Sequence, residues 1–237
     1  MRKVVNLPTE AQETPGLTAF DSLCAEDEPW LDACFVPPRY FELMAGSRSV
    51  AVFGESGSGK TALYRALRGC CYDKEGHPVR LVAEWHPALP EADAPVDFTS
   101  VRGQVRCVFD ACAMALMYYC AQYPDALSTA PQWAQDTLTW FVHTYGQGDL
   151  RIRLGPLLEE SEPGGKALLE SLLDASPRQV LNPDAAPEQV AARLTEALTR
   201  MGLRGIWVMT DGLEAWAKAD PKRLSDTLNA FLSTLPL

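Results

Sequence analysis

The segment Gly54-Glu55-Ser56-Gly57-Ser58-Gly59-Lys60-Thr61 places glycines, a lysine and a hydroxyl residue at the spacing G-x-x-x-x-G-K-[ST]. Each residue type has a physical reason to be there. Glycine lets the backbone take positive φ angles and approach a ligand closely. Successive N–H groups can then point inward as an anion nest, reinforced by the N-terminal dipole of a following helix. Lys60 would bring a positive charge to the β and γ phosphates of a nucleotide, and the Thr61 hydroxyl would ligate Mg²⁺. Ala62 has no side-chain oxygen, so within the motif Thr61 is the metal ligand. A Gly/Ser turn without a ligand is the plain alternative, but Gly-Lys-Thr at a strand-to-helix junction is much rarer than a glycine-rich turn.

A second acidic site follows far downstream. Ile206-Trp207-Val208-Met209 is an apolar run that leads through Thr210 into Asp211, which would face the hydration shell of the metal. Ligands bind beyond the carboxyl ends of parallel strands, so Thr61 and Asp211 are expected on one edge of the sheet. Three residues on, Glu214 could orient or deprotonate an attacking water. The alternatives are an ordinary Asp-Gly turn and a solvated acid in the first turn of a helix. Lys60 and Glu214 are therefore the candidate catalytic residues, and Thr61 and Asp211 the candidate metal ligands. The chain contains no Asn-Lys-x-Asp, the usual reader of guanine, which points to adenine. Phe35 and Val36 could pack on its face, or simply anchor the preceding arm to the core.

The elements that must hold these residues can be read from periodicity. Ser49-Val50-Ala51-Val52-Phe53 reads as a buried parallel strand before the glycine turn, and Thr61 to Arg68 as a helix with Leu63 and Leu67 on one face. Val79 to Trp85 reads as a second strand and Gly205 to Asp211 as a third, with a loop over 86 to 102. A helical stretch is expected over about 104 to 202. Within it, Val105 to Tyr123 ends at Pro124, Trp133 to Tyr145 ends at Gly146, and Leu157 to Leu173 is split by Pro163-Gly164-Gly165. Pro187 opens a helix carrying Val190, Leu194 and Leu198 that Gly202 closes, and Asp220-Pro221 starts another bearing Leu224, Leu228, Phe231 and Leu232. Ahead of all this, a polar, acidic arm spans residues 1 to 34, and a short helix is expected around Tyr40 to Met44.

Composition narrows the function classes. The 237 residues carry 31 acids against 21 bases, a formal net charge of −10 that repels phosphate backbones and argues against non-specific nucleic-acid binding. Seven cysteines without a C-x-x-C pair, and three scattered histidines, give a zinc site little support. Cys107, Cys112 and Cys120 fall in a helix, where a small buried hydrophobe is the expected role. No apolar run reaches the length of a membrane span and no signal core follows Met1, so a cytoplasmic protein is expected.

With these residues in view, the chain resembles the additional-strand P-loop ATPases, the AAA-like and STAND class with origin-recognition-type and NACHT-type domains. Gly54 to Thr61 is the Walker A loop of that resemblance, and Met209-Thr210-Asp211-Gly212-Leu213-Glu214 is similar to the STAND form of Walker B. Phe35-Val36-Pro37-Pro38-Arg39 resembles the Phe-Val-Gly-Arg adenine-side element, with glycine replaced and one residue added. The resemblance implies an α/β, three-layer P-loop NTPase over 35 to 237, with a parallel sheet and a helical insertion at 104 to 202. It further implies ATP and Mg²⁺ as ligands, slow hydrolysis, and a nucleotide-driven switch or assembly role in a larger signalling or defence protein. In that class a later strand lies between the P-loop strand and the Walker B strand. Here one helix follows Asp211 and the chain stops. The expectation is therefore a C-terminally incomplete domain, its sheet completed by the remainder of a longer protein or by a partner chain, with a homo-oligomer also open. A small-molecule kinase, with Arg151 and Arg153 as lid arginines, and a non-hydrolysing nucleotide scaffold are the alternatives.

Overall fold

Ser100 begins the central element. Its extended backbone and its hydroxyl, which accepts from the Gly103 N–H at 3.1 Å, cap the helix Val101–Gln122 at a point four residues before the apolar periodicity begins. In the computed structural model, which describes residues 35–46, 50, 52, 54, 58–85, 100–182, 185–210, 213 and 221–234, the elements run in this order. They are α1 (Phe41–Met44), α2 (Lys60–Gly69), β1 (Leu81–Glu84), α3 (Val101–Gln122), α4 (Pro124–Ser128), α5 (Gln132–Tyr145), α6 (Leu150–Arg153) and α7 (Gly155–Glu160). After these come α8 (Pro163–Asp174), α9 (Pro187–Arg200), β2 (Ile206–Met209) and α10 (Pro221–Thr234). The arm at 1 to 34 lies outside the described residues.

The two strands pair in parallel, Leu81 opposite Ile206 through Glu84 opposite Met209. A parallel pair requires a crossover, and here the crossover is the entire helical region from α3 to α9. The fold is thus mixed α/β with an unusually long helical connection. α3 runs through its middle, touching β1, α4, α5, α8, α10 and β2. It buries Val105, Val108, Phe109, Cys112, Ala113, Leu116, Met117 and Cys120, residues spread around much of its circumference, as befits a helix covered on several sides. At its contact with α8, Gly165 is obligatory: a Cβ there would lie 2.0 Å from the Ala121 carbonyl oxygen. Phe109 meets Phe141 and Tyr145 of α5 at ring-centroid separations of 5.7 and 4.8 Å, edge to face.

Helix ends follow their sequence signals, with informative exceptions. α9 starts with Pro187 at its first position and ends in a Schellman motif. Gly202 has φ 85°, its N–H donates to Thr199 O at 3.2 Å, and the Leu203 N–H donates to Leu198 O at 3.1 Å. Pro124 ends α3 but also opens α4. The break expected at Pro163-Gly164-Gly165 sits earlier, at Ser161 and Glu162, because Pro163 is accommodated as the first residue of α8 and both glycines lie inside its first turn. The expected strand at 49 to 53 is described only at Val50 and Val52. Neither lies in a strand, and both are exposed, at 47% and 44%, where burial was expected.

Candidate nucleotide-phosphate site

Of the eight residues in the glycine-rich loop, Gly54, Ser58, Gly59, Lys60 and Thr61 are described; Glu55, Ser56 and Gly57 lie outside the described residues. Gly59 caps α2 with φ 85° and ψ 16°, a left-handed conformation that side-chain-bearing residues rarely adopt. Its carbonyl accepts from the Leu63 N–H at 3.0 Å and so starts the helix. Gly54 is constrained differently. A Cβ on it would fall 2.4 Å from Ser58 Oγ and 3.2 Å from Ser58 Cβ. The two glycines thus serve a sharp curl, one through its φ and one through the space it leaves.

The Lys60 ammonium donates to the carbonyl of Gly54, six residues earlier, at 3.1 Å. α2 carries no acidic residue in its first turn, while Arg68 in the last turn complements the opposite end of the dipole. Glycine conformation, cation and helix terminus therefore fit an anionic phosphate group.

The remaining predicted site residues divide. Asp211 and Glu214 lie outside the described residues. β2, which leads to Asp211, does end beside β1: the Trp85 N–H donates to Met209 O at 2.8 Å, so the two strands share one carboxyl edge. Thr210, immediately before Asp211, has a buried hydroxyl with no hydrogen-bond partner among the described residues. A polar residue closing an apolar strand was the sequence signal for it. Phe35 packs on Phe41 at 5.6 Å between ring centroids, and Val36 is 84% exposed.

Sequence reasoning missed one feature at this edge. Arg68 at the end of α2 pairs with Glu84 at the end of β1 at 2.9 Å, tying the helix that follows the loop to the strand pair. An acid at the carboxyl end of a strand was its only signal. The conceived lid arginines have structural partners. Arg153 grips Asp110 through two hydrogen bonds of 2.7 and 3.1 Å, and Arg151 pairs with Asp174. Among the described residues no cluster of histidine, cysteine and acidic side chains could hold a metal ion by itself, and no helix is long and apolar enough to cross a membrane. No family model matches the chain, and comparison with curated proteins and with solved structures finds no match.

Proposed function

We propose that this chain is an ATP- and Mg²⁺-binding P-loop ATPase module that acts as a nucleotide-dependent switch or assembly domain. The observation that carries the reading is the loop itself: left-handed Gly59 capping α2, with the Lys60 ammonium turned back onto the Gly54 carbonyl. A bare Gly/Ser turn has no need of a lysine folded into it. The strand arrangement supports the same reading. β1 pairs with β2, the Walker B strand of the resemblance, while Val50 and Val52 of the preceding segment lie outside any strand. In the additional-strand class the P-loop segment and the Walker B strand are not neighbours, and here too β2 pairs with β1 rather than with the segment ahead of the loop among the described residues.

Bound Mg²⁺-ATP would bring the phosphoanhydride bond and a metal that draws off charge from the phosphate oxygens. The chain's own part is positioning and electrostatics. With the nucleotide bound, the loop amides and Lys60 would neutralise phosphate charge, Thr61 and Asp211 would hold the metal, and Glu214 would orient the water and accept its proton.

Turnover separates this reading from its rivals. Incubation with labelled ATP should give ADP and inorganic phosphate, and Glu214→Gln should abolish release while leaving ATP binding within about twofold. Phosphate recovered on a small acceptor instead would make the protein a kinase. Binding without any release by the unsubstituted chain would make it a scaffold.

A further inference from the structure

Among the described residues no strand pairs with the edge of β1 opposite β2, and that edge borders a groove. In a parallel ladder, alternate residues direct both backbone groups to the same side. Leu81 N–H reaches Gly205 O at 3.0 Å and Trp85 N–H reaches Met209 O at 2.8 Å, so the odd-numbered positions face β2. Val82 and Glu84 therefore direct their N–H and C=O groups away from β2, where no strand pairs with them among the described residues. Such an edge is a template for another strand.

A groove of about 650 Å³ is lined by Val82 and Glu84 of β1, by Arg68 at the end of α2 and by α3 residues from Asp110 to Tyr118, of which Tyr118 is 46% exposed. β1 itself spans four residues, Leu81–Glu84.

Charge selects among extended segments. Of the three guanidinium groups lining the groove, Arg68 is paired with Glu84 at 2.9 Å and Arg153 with Asp110 at 2.7 Å, which leaves Arg80 as the lining cation without a carboxylate partner among the described residues. The Arg80 guanidinium carbon lies 4.9 Å from the Trp207 ring centroid, a cation–π contact.

We propose that this groove binds an extended acidic peptide segment of a partner protein, which adds to β1 as a third strand. Backbone pairing with Val82 and Glu84 supplies attachment, and Arg80 selects a carboxylate side chain. The proposal is independent of the nucleotide reading, because no residue of the phosphate loop lines the groove.

The test uses the full chain and two labelled hexapeptides, one alternating valine with glutamate and one alternating valine with lysine, followed by fluorescence anisotropy. The glutamate peptide should bind with a Kd below about 100 µM and the lysine peptide at least about tenfold more weakly. Val82→Pro removes an outward N–H that β2 does not use, and should weaken binding by about tenfold or more with an unchanged helical circular-dichroism spectrum. Should that variant unfold, Arg80→Glu serves instead, and should reverse the preference between the two peptides. Equal binding of the two peptides would overturn the proposal. So would binding indifferent to both substitutions, absence of binding at about 1 mM, or amide hydrogens of Val82 and Glu84 that are already protected from exchange in the unliganded chain.

Discussion

Gly59 and Lys60 carry the account at the scale of single residues. With φ at 85°, Gly59 holds a conformation that costs a side-chain-bearing residue about 1–2 kcal/mol, and its replacement would also turn the loop amides away from a phosphate. Gly59→Ala should therefore lower stability by about that amount in chemical denaturation and weaken Mg²⁺-ATP binding by more than about tenfold in titration. A second prediction concerns the thiols of α3. Burial pushes Cys112 and Cys120 from their ordinary value of 9.0 up to about 12. A raised folded-state value means stability that is complete below 9 and is lost as pH rises from there toward 12, because only the unfolded chain can ionise its thiols. The loss should approach about 1.4 kcal/mol per pH unit for each thiol, and the Cys112→Ala, Cys120→Ala double variant should show a flatter alkaline slope in denaturant melts.

At the scale of elements, two adjacent glycines of α8 should behave oppositely. Gly165→Ala drives a methyl group into the Ala121 carbonyl and should destabilise the protein by about 1–3 kcal/mol. Gly164, whose added Cβ would meet Pro124 Cγ at an ordinary 3.7 Å, should gain up to about 1 kcal/mol on replacement by alanine through helix propensity. Thermal melts of the two variants would check both signs. This pair also shows where sequence reading runs out. Pro-Gly-Gly has the composition of a helix break, and only the close crossing of α3 and α8 explains why two glycines sit inside a helical turn. The start of α3 was hidden in the same way, since Ser100, Arg102 and Gly103 are polar or flexible and their helical state rests on a cap rather than on apolar spacing. By contrast α9, with proline at its start, Val190, Leu194 and Leu198 on one face and glycine beyond its end, was legible throughout. Asp110 joins elements more distant in the chain: it accepts from the Gln147 N–H at 2.8 Å and from Arg153 at 2.7 Å. Asp110→Ala leaves that guanidinium and amide without their acceptor. It should cost about 1–3 kcal/mol in denaturant melts and speed amide exchange at Gln147.

For the whole molecule, the arrangement is a two-strand parallel pair, a long helical crossover packed around α3, and a glycine-rich segment at the head of α2. α2 buries no residue completely, and Val50 and Val52 ahead of it are exposed. The start of α2 was legible because it is local: Gly59 in the left-handed conformation precedes a helix that begins at Lys60. The setting of the segment before it was not, because an apolar run states that something should cover it but not which strand does so. The central claim, that Gly54 to Thr61 forms a working nucleotide site, is best tested by calorimetric titration of Mg²⁺-ATP into the chain and into its Lys60→Ala variant. Micromolar binding is expected, weakened by more than about a hundredfold by the substitution, in keeping with the loss of a charge-assisted phosphate contact. No binding by the unsubstituted chain, or equal binding by the two, would contradict it.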